Sequence, residues 1–177
     1  AEGVEPLRSV SPELRPAIFA LCARQMILST AVGRETLRTL PSLIAEINDD
    51  GLTRSILEIA TEIARRSAKH STDCLNPSAT VARELKSFND PKLTAAALAL
   101  ADAFATRAGG IAADAWAVSP EALAELSAAN AIRLLNTTND FLQRGGGAAL
   151  HILAAGGELL RRAPEIFDDW TALLWVV

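Results

Sequence analysis

The chain reads as all-α, a single-domain bundle of about seven or eight helices. Three observations predict this. Ala and Leu dominate the composition, β-branched residues are scattered rather than clustered, and no stretch alternates apolar and polar residues with the period of a strand. Apolar residues make up 50 % of 177 positions, which suits one domain with a sizeable core and lies well above a disordered composition.

The elements follow in order. Residues 1–10 read as a loose or domain-covering arm ahead of a domain over 11–177. Ser11-Pro12-Glu13 and Pro16 signal a first helix. Ile18, Leu21, Cys22 and Met26 carry it at helical spacing to about Val32, and Gly33 is expected to stop it. A second helix starts around Gly33–Glu35, and Pro41 predicts a break or restart within it. Asn48-Asp49-Asp50-Gly51 is a turn whose acids suit the positive N-terminal end of the next helix. That third helix is predicted from about Leu52 to His70, with Leu52, Ile56, Ile59 and Ile63 as its apolar stripe. Asn76-Pro77-Ser78 breaks the pattern, and a shorter helix follows to about Lys86.

Asn89-Asp90-Pro91 is an N-cap with a first-turn proline, opening an Ala/Leu-rich helix that ends at Gly109-Gly110. Ser119-Pro120-Glu121 predicts the start of the longest helix, ending near Arg144. Gly145-Gly146-Gly147 is a flexible joint. It leads into a C-terminal helical extension over 148–177, one helix before Pro164 and one from it, which could dock on a neighbouring subunit.

Charge and cysteine content narrow the function classes. The net charge is −4 and the basic residues are spread out, so neither a nucleic-acid partner nor a membrane-surface partner is expected. The longest apolar stretches carry charges or glycines, so no transmembrane span is expected, and the first apolar run contains Arg15, Arg24 and Gln25, unlike a signal segment. Two cysteines, Cys22 and Cys74, are too few for a disulfide framework and point to a reduced, cytoplasmic setting. A mean hydropathy of +0.21 is high for a monomer of this size and predicts a homo-oligomer.

Two regions carry a resemblance. The first is Glu58-Ile-Ala-Thr-Glu62-Ile-Ala-Arg65-Arg66-Ser67-Ala-Lys69-His70-Ser71-Thr-Asp73-Cys74. The second is Phe88-Asn-Asp-Pro91 with its Ala/Leu helix to Arg107, then Ser119-Pro-Glu-Ala-Leu-Ala-Glu-Leu126, then Asn136-Thr-Thr-Asn139-Asp140. Over roughly residues 50–142 the chain resembles the alkylhydroperoxidase D-like, carboxymuconolactone decarboxylase-like family. The resemblance implies that family's all-α fold and a homo-oligomer, trimers and hexamers being common there. Residues 143–177 have no counterpart.

The family's Cys-x-x-Cys-x-x-x-His is degenerate here, in either of two registers. One puts Ser71 and Cys74 at the cysteine positions and Ser78 at the histidine, with Glu58 about one residue out of phase with the family's glutamate. The other puts Ser67 and His70 at the cysteine positions and Cys74 at the histidine, and also resembles the decarboxylase branch. A thiol–disulfide cycle needs an attacking and a resolving thiol, so dithiol peroxidase or reductase activity is not expected.

The residues themselves offer other chemistry. Glu62, Arg66 and His70 are spaced i, i+4 and would share one side of the third helix. His70 could then act as a general base, Glu62 or Glu58 as the acid or orienting group, and Arg66 as a carboxylate anchor, or all could be a solvated face. Glu58 and Glu62 are like charges one turn apart, which inside a cleft would raise one pKa. Cys74, before Leu75-Asn76-Pro77, is either a thiol activated by a helix N-terminus or a small buried hydrophobe; Cys22 reads as buried. Asn130, Arg133, Asn136, Thr137 and Asp140 form a polar line facing a ligand, an interface or a neighbouring helix. His151 reads as a core or interface histidine, and the two histidines give no metal-ligand spacing. Trp116, Trp170 and Trp175 read as core or interface. The triple glycine follows no strand, so no nucleotide cradle is present.

The leading expectation is therefore a cofactor-independent and metal-independent enzyme, a lyase or isomerase of specialised metabolism. It would act on a small-molecule substrate by decarboxylation, isomerisation or cyclisation. Its catalytic residues would be His70, Glu62, Glu58 and Cys74, its substrate-binding residues Arg66, Ser67 and Asn136. The alternatives are a non-catalytic binding or assembly protein of the same fold and a single-thiol redox protein using Cys74.

Overall fold

In the computed structural model, which describes residues 7, 9–144 and 148–174, every regular element is helical. Ten α-helices are present among the described residues, more than the seven or eight expected. The chain groups into two compact units, residues 1–82 and 83–177, where the sequence reads as one domain from residue 11. Residues 1–6 and 8, the predicted joint at 145–147, and residues 175–177 with Trp175 lie outside the described residues.

The first unit holds α1 (Arg15–Leu28), α2 (Thr30–Ile47), α3 (Asp50–Ala64) and α4 (Ala68–Leu75). Ahead of them Leu7 and Val10 are buried, so the described part of the predicted arm is packed rather than loose. The first helix ends four residues earlier than expected. Ser29 takes an extended backbone and accepts from the Val32 N–H, which starts α2 there and puts Gly33 inside α2. Gly33 is needed for close approach: a Cβ there would overlap Met26 Cγ and lie 2.9 Å from the Cys22 carbonyl oxygen. Pro41 sits inside α2 without ending it, one missing N–H being tolerated while Leu40 and Ile47 stay buried on the helix's inner side.

Asp49 caps α3 by accepting from the Leu52 N–H at 2.8 Å, as the Asn48–Gly51 turn predicts. Leu52, Ile56, Ile59 and Ile63 are all buried. The helix nevertheless stops at Ala64. Ser67 becomes extended (φ −152°, ψ 115°) and accepts from the His70 N–H at 3.1 Å, starting a separate α4. α5 (Ser78–Phe88) follows and carries the boundary between the two units.

The second unit holds α6 (Pro91–Arg107), α7 (Ala112–Leu123), α8 (Ala128–Gln143), α9 (Ala149–Arg162), a 3-10 turn at Pro164–Ile166 and α10 (Phe167–Leu174). Asp90 caps α6 from the position the Asn89-Asp90-Pro91 signal gives. Ser119-Pro120-Glu121 lies within α7 and does not start a helix. The start of α8 is Ser127, which accepts from the Asn130 N–H, and α2, not α8, is the longest helix among those described. Gly157 of α9 lies directly on the Ala122 backbone of α7. Beside it Arg161 donates to the Glu121 and Ala124 carbonyls at 3.0 and 2.9 Å, satisfying acceptors at the end of α7.

Candidate functional site

The break at 65–67 rearranges the predicted site. Glu58 and Glu62 are on α3, Arg66 lies in the turn after it, Ser67 caps α4, and His70 and Cys74 are on α4. The i, i+4 series Glu62, Arg66, His70 assumed one continuous helix and does not exist. Glu62 pairs instead with Arg65, at 2.9 Å. The Ser67 hydroxyl accepts from the His70 backbone N–H as a cap, a local structural role.

A groove of about 500 Å³ runs along the first unit between α1 and α3. Pro16, Ala17 and Ala20 supply its apolar wall, and Glu13, Arg54, Glu58, Thr61, Glu62 and Arg65 its polar rim. It is open to solvent rather than enclosed. The heptad-like spacing that buries Leu52, Ile56, Ile59 and Ile63 turns Arg54, Glu58, Thr61, Glu62 and Arg65 outward on the opposite side of α3. His70, Arg66, Ser67 and Cys74 do not line it.

Charges within the groove are mostly paired. Arg54 meets the Glu13 carboxylate at 3.5 Å and its carbonyl at 3.4 Å. Arg65 meets both Glu62 oxygens, at 2.9 and 3.1 Å. Thr61 donates its hydroxyl proton to the Leu57 carbonyl at 2.6 Å. Glu58 is exposed and has no ion-pair or hydrogen-bond partner among the described residues.

A second, shallower groove of about 340 Å³ lies between α2 and α4, lined by Ala31, Val32, Glu35, Lys69, Thr72 and Asp73. Its charges are committed: Lys69 to Asp73 at 3.7 Å, Glu35 to Arg38 at 2.6 Å.

Cys74 is 1 % exposed, and burial pushes its thiol up to about 12. Cys22 is also buried and is pushed up to about 11. Such thiols stay protonated at neutral pH and cannot supply a thiolate nucleophile. The placement of Cys74 near a helix junction therefore gives no activation, and the small-buried-hydrophobe alternative describes it. His151 is exposed on α9, which removes the core half of the core-or-interface expectation, because the buried face of that helix is made by Ala149, Ile152, Leu153, Gly156 and Leu160. Trp116 is buried in α7 and Trp170 half-buried in α10.

On α8 the predicted polar line divides. Asn136 and Asp140 are exposed, while Arg133 is bound to the C-terminal segment. Its guanidinium meets Asp168 at 2.6 Å and the Pro164 carbonyl at 3.2 Å, and stacks over the Phe167 ring at 4.9 Å. This is an interhelical tie, the structural alternative among the expectations. Asn136 belongs to the second unit and lines neither groove.

Sequence reasoning singled out Glu58 and Glu62 but not Glu13, Arg54, Thr61 or Arg65. For Arg54, Thr61 and Arg65 the signal was available, since helical spacing puts them on the face opposite the apolar stripe of α3; Glu13, ahead of α1, carried none. Among the described residues no group of three or more His, Cys, Asp or Glu is placed to hold a metal ion. No described helix is long and apolar enough to cross a membrane. No protein-family model, no curated protein and no solved structure matches this chain.

Proposed function

We propose that this chain is a small-molecule-binding protein on an alkylhydroperoxidase D-like helical scaffold, with the α1–α3 groove as its binding site. The observation that carries the reading is the separation of the expected catalytic set. Glu58 and Glu62 face a solvent-open groove with an apolar wall, and His70 is not among its residues. A general base must reach the proton it takes, and a groove without the base favours recognition over turnover. The volume falls in the range of small-molecule sites. Amide chemical-shift mapping against a fragment library tests this: shifts are expected at Ala17, Ala20 and Thr61. Fragments that shift only residues around His70, or none, sink it.

One observation keeps a second reading, the lyase or isomerase. Glu58 is an uncommitted carboxylate beside a substrate-sized groove and could transfer a proton in decarboxylation, isomerisation or cyclisation, taking the role first assigned to His70. Turnover of an identified substrate would then fall in Glu58→Gln and persist in His70→Ala. Burial of Cys74 counts against the single-thiol redox reading. A homo-oligomer, trimer or hexamer, is part of the proposal. It is supported by α1, which is apolar on nearly every side yet exposes Phe19, Ile27 and Leu28. Free, buried cysteines fit the proposed cytoplasmic setting.

A further inference from the structure

We propose that the ligand of the α1–α3 groove is an organic cation, a protonated amine carried on an apolar body. This rests on the groove being the binding site and adds the chemical class of what it takes.

The groove's rim holds three carboxylates, Glu13, Glu58 and Glu62, against two guanidinium groups, Arg54 and Arg65. Glu13 matches Arg54 and Glu62 matches Arg65, so both positive charges are balanced within the rim. Glu58 remains, one negative charge with no counter-ion among the described residues. Thr61, three residues further along the same face, has its proton on the Leu57 carbonyl, so its oxygen is left as an acceptor. Glu58 and the Thr61 oxygen therefore both offer acceptors to a groove whose rim is net negative. An anionic ligand would enter a rim that already carries one more carboxylate than guanidinium groups. An ammonium brings three donors and a positive charge to groups that lack them. Pro16, Ala17 and Ala20, small and apolar, form a flat wall opposite the rim that fits a ring or chain and not a second charge.

Other surfaces carry less. The α2–α4 groove has its charges paired, and the exposed apolar residues of α1 have nothing beside them that specifies an occupant.

Three indole probes of nearly equal shape separate the possibilities: tryptamine (cation), tryptophol (neutral) and indole-3-propionate (anion). The full chain is titrated with each, following the Ala17, Ala20 and Thr61 amides. Tryptamine is expected to bind tightest. Its affinity should fall about three- to fivefold in Glu58→Gln, the size of one solvent-exposed charge interaction. It should fall again at about 1 M salt, where screening reaches within about 3 Å. Glu58 is exposed, so the variant should fold, and an unchanged far-ultraviolet spectrum checks it. Equal or tighter binding of indole-3-propionate, or no effect of Glu58→Gln on tryptamine, overturns the cation assignment and leaves the groove as a binding site. No response at those amides to any of the three overturns the cation assignment and the groove together.

Discussion

Gln25 of α1 is fully buried and donates from Nε2 to Ser71 Oγ of α4 at 3.1 Å. Ser71 passes its own proton to the Ala60 carbonyl of α3 at 2.8 Å, so two side chains join three helices. Gln25 also reaches Thr72 at 3.4 Å, while its Oε1 is buried without a partner. The arrangement pins α4 in place just after the helix break. Ser71 is also the position at which one of the two registers expected from the sequence would put the first cysteine.

Removing both members of this chain should cost less than the two single losses added together. Ser71→Ala leaves the Gln25 amide only its longer contact to Thr72 and takes a donor from the Ala60 carbonyl, and should cost about 1 kcal/mol. Gln25→Met removes a buried amide whose oxygen is already unpaired, and should cost less. The double variant should lose less stability than the two singles added together, because the Gln25 amide that Ser71→Ala deprives of its acceptor is then absent. Urea unfolding of the four proteins checks this. Strict additivity would mean that the two side chains act independently.

Glycine positions give a graded test of helix packing. At Gly157 a Cβ would meet the Ala122 backbone, its carbonyl carbon and Cα both at 2.9 Å, and backbone cannot rotate away. Gly157→Ala should therefore destabilise by about 1–3 kcal/mol or more, as overpacking does. At Gly51, in the first turn of α3, the nearest atom is Asp49 Oδ1 at 3.5 Å. Gly51→Ala should be neutral or stabilising by up to about 1 kcal/mol, by reducing unfolded-state freedom. Thermal melts of the two variants should move in opposite directions, or only the first should move.

The buried thiols predict a specific alkaline weakness. In the unfolded chain Cys74 ionises near 9.0, whereas burial holds it protonated to about 12 in the fold. A folded-state pKa that is raised gives stability that is whole below pH 9 and lost as pH climbs toward 12. The loss from this thiol is on the order of 1 kcal/mol for each pH unit in that window. The chain has no tyrosine, so no phenol titrates alongside it. Denaturant unfolding across pH 8–11 should fall less steeply in Cys74→Ala than in the native chain. A reagent such as Ellman's should label Cys22 and Cys74 only as fast as the chain opens.

How much of this was readable in advance depends on how each helix boundary is made. Asp90 before Pro91 and the Asn48–Gly51 turn are strong signals, and both fall where helices start. The apolar stripe of α3 is equally plain. The misplaced boundaries at 28–30, 64–68 and 123–128 share one device: each new helix is capped by a serine, Ser29, Ser67 or Ser127, with extended backbone. Serine in an Ala-rich helix is unremarkable in sequence, and no glycine or proline marks these ends. Conversely Gly33 looks like a stop, Pro41 like a break and Ser119-Pro120-Glu121 like a start, but all lie inside helices, because tertiary packing outweighs local propensity. The site inherited the error. With α3 carried through to His70, Glu62, Arg66 and His70 lined up; with the break, the groove residues Arg54, Thr61 and Arg65 take their place beside Glu58 and Glu62.

Ser67 is the residue on which that separation turns. Its hydroxyl accepts from the His70 N–H and its extended backbone redirects the chain between α3 and α4. Ser67→Ala should cost about 1 kcal/mol, the usual worth of an N-cap, and Ser67→Asp should hold stability because a carboxylate caps as well as a hydroxyl. The effect should also be local. Hydrogen exchange at the His70 and Ser71 amides should speed up in Ser67→Ala, while amides in the centre of α3 keep their protection. Acceleration spread evenly over α3 and α4 would mean that the two move as one helix, and would return His70 to the same element as Glu62.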